Sequence, residues 1–216
     1  MTGPNRSSAV MQRRSEPHQS LDDFPTPPWA TRALLSFLID DTLPLPLAQT
    51  CREPAANRGH MVRPLREWFG TVEAADIHDY GAGFPVFDYL FGPLPPQVDW
   101  TITNPPFRLA TQFIQRALET SREGVAMFLR TAALEGQARY STLFSASPPS
   151  DVLQFVERVV IHKGRLAPEG STATAYCWLV WRGLLPPLCT RLHWIAPCRR
   201  ALERTDDYPK EAVRAD

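Results

Sequence analysis

The 216-residue sequence predicts a doubly wound α/β domain, a largely parallel sheet with helices on both faces. Strand-like apolar runs alternate with segments of helical periodicity, which implies right-handed crossovers between parallel strands. The run Val125 to Leu129 is apolar without interruption, as in a strand covered on both sides. The length suits one domain able to bury a full core without disulfide or metal staples.

Residues 1 to 22 are polar and unpatterned and are expected to form a flexible arm, followed by a single domain over 23–200 and a tail over 201–216. Order is expected to begin at Phe24-Pro25-Thr26-Pro27-Pro28-Trp29. Thr26 is the candidate N-cap, and prolines suit the first helical positions because their missing N–H groups would have lacked a partner anyway. Trp29, Ala33, Leu34, Phe37 and Leu38 recur at helical spacing, and Asp40-Asp41 with Pro44 and Pro46 end that helix. A short strand follows near Thr50-Cys51-Arg52, then a turn from Pro54 to Gly59, a helix from Met61 to Phe69 and a second strand from Val72 to Ile77.

Beyond a Gly/Pro-rich connection from Gly81 to Pro96, Asp99 to Thr103 reads as a third strand. It must stop at Asn104-Pro105-Pro106-Phe107, because two prolines remove the donors that ladder bonding needs. Leu109, Phe113, Ile114, Ala117 and Leu118 mark one face of the next helix, ahead of the Val125 strand. Val152 to Ile161 and Thr174 to Trp181 complete the expected strands.

Lys+Arg and Asp+Glu balance at 23 each, so an anionic partner must be held by a local patch and not by the field of the whole molecule. No apolar run approaches the roughly 18 residues of a membrane span, and the N-terminus has no apolar core to serve as an export signal. A cytoplasmic location without membrane contact is expected. The four cysteines, Cys51, Cys177, Cys189 and Cys198, show no close pairing and read as free thiols in a reducing compartment. The five histidines lack metal-ligand spacing, and no metal is assigned.

In a doubly wound sheet, ligands lie at the carboxyl ends of the strands. The tips there are Glu53-Pro54-Ala55, Asp76-Ile77-His78 and Asn104-Pro105-Pro106-Phe107. The last places a polar side chain, a stiff carbonyl and an aromatic ring together. Those groups suit a planar exocyclic amine, whose lone pair is delocalised into its ring. The Asn104 side-chain oxygen and the Pro105 carbonyl would accept its two hydrogens and favour a geometry that frees the lone pair. Phe107 would stack on the ring and fix the amine in line with an electrophilic carbon. A Pro-Pro turn beside a buried Phe is the plainer reading of the same four residues.

From Thr26 to about Trp181 the chain resembles the S-adenosylmethionine-dependent adenine-N6 DNA methyltransferases of phages and bacteria, with a Rossmann-like sheet. Thr26-Pro27-Pro28 resembles the family's upstream segment, whose threonine contacts the methionine part of the cofactor. Glu53 to Gly59 resembles the loop after the first strand, where the acid takes the cofactor's amino group and small residues such as Ala55 and Gly59 let the backbone approach. Asp76 matches the acid that holds the ribose hydroxyls, with Ile77 against the adenine. Asp88-Tyr89-Leu90 resembles the segment whose Asp reads the cofactor's adenine amino group, and Asn104, Pro105, Pro106 and Phe107 match the catalytic loop.

The chain departs from the family pattern twice. Asn57 stands where a glycine is usual, and Arg52 interrupts a central strand where a buried charge needs a partner. The acceptor implied by the resemblance is an adenine flipped out of DNA. Candidate phosphate contacts are Arg108, Arg122, Arg130, Arg139, Arg158, Lys163, Arg165, Arg199 and Arg200. The alternatives are an RNA or protein-glutamine acceptor, and a degenerate nucleic-acid-binding protein that has lost its cofactor.

Overall fold

A computed structural model describes residues 22–40, 48–183 and 187–208. It contains a seven-stranded sheet in the order β2-β1-β3-β4-β6-β5-β7. The strands are β1 (Thr50–Glu53), β2 (Thr71–Ala74), β3 (Val98–Thr103), β4 (Ser121–Arg130), β5 (Asp151–Phe155), β6 (Tyr176–Arg182) and β7 (Arg191–Ile195). All pairings are parallel except those of β6, which runs antiparallel to both β4 and β5. The doubly wound α/β expectation therefore holds, with β6 reversed and β7 added at the edge.

The period-two alternation of the strands divides the core. Cys51, Trp100, Ile102, Phe128, Leu153 and Trp178 pack on one face against α1 (Pro28–Asp40) and α2 (Val62–Arg66). Val125, Met127, Leu129, Cys177 and Leu179 pack on the other against α3 (Ala110–Thr120). Two short helices, α4 (Gln137–Arg139) and α5 (Arg199–Leu202), complete the set. Gly124 is required where β4 crosses Trp100, since a Cβ there would lie 2.4 Å from the indole.

Several elements differ from the sequence expectations. Helix α1 starts at Pro28, so Thr26 is not its cap, and the Thr26 hydroxyl faces Asn104 instead. Helix α2 is shorter than the 61–69 span, and Pro64 is tolerated because it lies in the first turn. The second strand stops at Ala74, and Asp76 follows as an isolated parallel bridge to Val86. Val152 to Ile161 is strand only through Phe155. The boundary at residue 200 falls inside α5, and the chain beyond it is docked: Asp207 is buried and bonded to the equally buried Arg32 on α1 at 2.7 Å. Apart from Asp22, the expected N-terminal arm lies outside the described residues, as do Asp41, Pro44 and Pro46.

Arg52 finds its partners. The guanidinium bonds Glu73 on β2 at 2.7 Å and the Pro96 carbonyl at 2.6 Å. The charge is compensated because β1 has only the short edge strand β2 beyond it. All four cysteines are free. Among the described residues no helix is long and apolar enough to cross a membrane, and no His, Cys, Asp and Glu cluster could hold a metal.

Candidate functional site

A cleft of about 1250 Å³ opens at the carboxyl ends of β1, β3 and β4. Its lining brings together Thr26, Ala55, Asp76, Ile77, Asp88, Tyr89, Asn104, Pro106 and Phe107 from the residues expected at the site. Glu53, Gly59 and Pro105 are not part of the lining. Gly59 serves the turn: its φ of +83° excludes most side chains, and a Cβ there would meet the Phe84 ring at 3.0 Å.

Glu53 lies wholly buried beneath the floor. Its Oε1 accepts the Ala55 N–H at 2.9 Å and the Thr103 hydroxyl at 2.5 Å, which ties the β1 tip to the end of β3. Its Oε2 is buried without a partner. Burial drives the Glu53 carboxyl up to about 8, against the opposing pull of those two hydrogen bonds, so the group is largely protonated at neutral pH.

The loop between β1 and α2 is stitched to β2. Ala75 N–H donates to Glu53 O, and Ala56 N–H donates to Ala75 O. Asn57 has a φ of +49°, and among the described residues it is the one non-glycine with positive φ. The position thus requires the left-handed geometry that asparagine tolerates better than most residues. Its side chain donates to Asp23 at 2.8 Å, and Arg58 bonds both oxygens of the same carboxylate. Asp76 accepts the Asn57 N–H on one oxygen at 2.8 Å and the His78 N–H on the other at 3.0 Å. Each oxygen keeps a lone pair for a further donor at the cleft.

Asn104 at the β3 tip is held by the chain that precedes α1. Its Nδ2 donates to the Phe24 carbonyl and to Thr26 Oγ, each at 2.9 Å. Both amide hydrogens are thereby used, and Oδ1 is left as an acceptor with no bond among the described residues. The Phe107 N–H donates to Asp22 at 2.6 Å. The Phe107 ring lies 5.7 Å from Phe24, and the Arg130 guanidinium sits over it at 4.2 Å. Asp88 accepts the Leu90 N–H at 2.9 Å, while Tyr89 is buried against Phe113.

Sequence reasoning missed Asp22, Asp23 and Phe24, whose roles depend on contacts with residues far along the chain. It also missed His60, Tyr80 and Tyr176 in the lining. Burial, then Arg58 and Arg63, lowers His60 to about 4, so the imidazole is neutral at physiological pH. Of the candidate basic residues, Arg108, Arg130 and Lys163 line the cleft. Arg122 pairs with Asp99 at the opposite end of the sheet, Arg199 with Glu203, and Arg139 bonds the carbonyls of Ala133 and Glu135. Arg158 reaches the Ala173 carbonyl, and Arg165 and Arg200 are exposed.

No family model matches the sequence, and no characterised protein matches it closely enough to identify a relative. Its architecture is shared with solved structures. A Listeria monocytogenes protein assigned to the class I S-adenosylmethionine-dependent methyltransferases superposes with a TM-score of 0.62 at 11% identity, covering 82% of this chain and 67% of its own. A Pyrococcus horikoshii protein assigned as an RNA methyltransferase superposes with a TM-score of 0.52 at 17% identity, over 78% of this chain and 92% of its own. The fold is that of the class I methyltransferases.

Proposed function

We propose that the protein is an S-adenosylmethionine-dependent methyltransferase that acts on the N6 amino group of adenine in DNA. The observation that carries this reading is the orientation of Asn104. Phe24 and Thr26 take both of its amide hydrogens, so the group turned to an incoming amine is an acceptor. A donor there would repel the amine.

The cleft fits the cofactor. Ala55 and Ala56 leave room above the β1 tip, and the left-handed Asn57 keeps the turn in the shape the usual glycine would give. Asp76, fixed by two backbone N–H groups, has acceptor capacity for a pair of ribose hydroxyls, with Ile77 exposed beside it. Asp88, at the lip, suits an exocyclic amino group. When bound, the cofactor supplies an electrophilic methyl carbon on a sulfonium. Glu53 acts from below as a positioning residue, because it ties the floor loop to β3 and is not exposed to a ligand.

Asn104 Oδ1 accepts an amine hydrogen and helps hold the nitrogen lone pair toward the methyl carbon, while Pro105, buried behind the lining, stiffens the loop that carries Asn104. Phe107 and Phe24 supply the aromatic surface for the flat base. The nitrogen sheds its proton after transfer, so no general base is needed beforehand. The two departures that favoured a degenerate protein are both accommodated, Asn57 by its backbone and Arg52 by Glu73.

The test is methyl transfer from labelled S-adenosylmethionine to unmethylated DNA, RNA and protein pools, followed by nucleoside analysis. N6-methyladenine from DNA is the expected product. Label confined to RNA or protein, or none at all, overturns the reading.

A further inference from the structure

The aromatic end of the cleft holds a cation where a substrate ring is expected. Arg130, the last residue of β4, points its guanidinium onto the Phe107 ring at 4.2 Å and toward Phe24 at 5.9 Å. Tyr176 is directly opposite on β6 and is immobilised by stacking on Phe128 at 5.1 Å and 9°. Phe24, Phe107, Arg130 and Tyr176 all line the cleft together with Asn104. Arg130 makes no ion pair with a carboxylate among the described residues, although it is an exposed side chain. An exposed arginine without a carboxylate gains most from water, unless a flat π-face is offered to it.

We propose that the Arg130 guanidinium is a stand-in for the target base: it covers the face of Phe107 on which the base stacks, and it withdraws when the base enters. This rests on the nucleobase reading of the site and adds to it a residue that selects for a flat, stacking substrate. A guanidinium is planar and matches an aromatic ring in thickness, so it keeps water off Phe107 in the absence of substrate. An entering base replaces a cation–π contact with a π-stack. The displaced side chain can swing about its own torsions without moving β4, and it then reaches the cleft rim where Arg108 and Lys163 lie. There it meets the phosphate that flanks the flipped nucleotide. A glutamine amide, which has no ring, could not compete for the aromatic face.

The experiment uses the full chain, wild type and Arg130→Ala, with two probes. Free 2-aminopurine riboside carries a base and no phosphate, and stacking quenches its fluorescence. A single-stranded DNA oligonucleotide with one central 2-aminopurine carries both. Removal of the stand-in is expected to tighten riboside binding by about fivefold, the scale of a cation–π contact. In the oligonucleotide, loss of one phosphate contact is expected to reduce the slope of log affinity against log salt by about 0.7. Equal or weaker riboside binding by Arg130→Ala overturns the proposal while leaving the nucleobase reading standing. An unchanged salt slope overturns the phosphate half. If neither protein quenches either probe, with or without S-adenosylhomocysteine, the nucleobase reading fails and this proposal falls with it.

Discussion

Thr26 Oγ accepts one hydrogen of the Asn104 side-chain amide at 2.9 Å, across 78 residues of chain. The second hydrogen goes to the Phe24 carbonyl. Two residues before α1 thus decide which end of the Asn104 amide faces the cleft. Thr26→Val should lower kcat about tenfold, the effect of one lost hydrogen bond, with a smaller change in the dissociation constant of S-adenosylhomocysteine. Thr26→Ser should restore it. Steady-state kinetics beside calorimetry would show the split, and an equal loss in both quantities contradicts the positioning role.

Asp76 and Asn104 should separate cleanly. Asn104→Ala is expected to abolish transfer and leave cofactor affinity nearly intact. Asp76→Ala removes the acceptor that anchors the Asn57 N–H in the β1–α2 loop and that of His78, along with the acceptors proposed for the ribose, so it should chiefly weaken the cofactor, by tenfold or more on the scale of a lost charged hydrogen bond. Calorimetry with S-adenosylhomocysteine reads both.

Asn57 tests whether left-handed geometry is required where a glycine is usual. Asn57→Gly keeps the backbone and loses the side-chain bonds to Asp23 and to Arg58, a loss it shares with Asn57→Ala. Asn57→Ala adds the left-handed penalty of roughly 1–2 kcal/mol and should show the larger loss in urea unfolding. Equal losses in the two variants would show that the side-chain bond, and not φ, governs the loop.

Glu53 predicts a pH dependence of stability. Its carboxyl titrates near 4.5 when unfolded and about 8 when buried. Below 4.5 both states are protonated. Between the two values the unfolded chain gives up the proton and the folded one retains it, so stability falls as pH rises through that window and levels off above it. Glu53→Gln keeps an oxygen for Ala55 and Thr103 and cannot ionise. It should raise Tm at pH 8 by roughly 5 °C and change it little at pH 5. A gain of equal size at both pH values would mean that ionisation is not the cause.

Asp207 is expected to hold the C-terminal segment to the domain. Burial opposes its ionisation, but hydrogen bonds from Arg32 and the Arg204 N–H outweigh that and hold its carboxyl below the usual range. Its contribution is therefore present above the ordinary carboxylate pKa and lost as pH falls below it. Asp207→Ala leaves the buried Arg32 with Glu67 as its one carboxylate beside the Leu202 carbonyl, and should cost about 3–5 kcal/mol in denaturant unfolding near pH 7. A loss below about 1 kcal/mol would place the pair among ordinary surface ion pairs.

The strand-tip residues were legible because each is local. Asp76 ends an apolar run, Asn104 meets two prolines that stop β3, and small residues crowd the turn after β1. The strand β7 was not legible. Leu192 and Trp194 are exposed at the sheet edge, so the apolar alternation that marks a half-buried strand is weak there. Arg32 gave no sign of burial either, since its partners Glu67 and Asp207 lie 35 and 175 residues away.

Periodicity and proline placement in the sequence itself determined that a largely parallel sheet would end its first three strands near Glu53, Asp76 and Asn104, because these signals arise within a few residues of backbone. Only the tertiary structure decided that β6 runs backwards between β4 and β5, that Glu53 lies under the floor, that Asn104 turns its oxygen outward and that Arg130 rests on Phe107. Each of those outcomes depends on which distant donor, acceptor or ring the fold delivers, and such pairings leave no periodic trace in the chain.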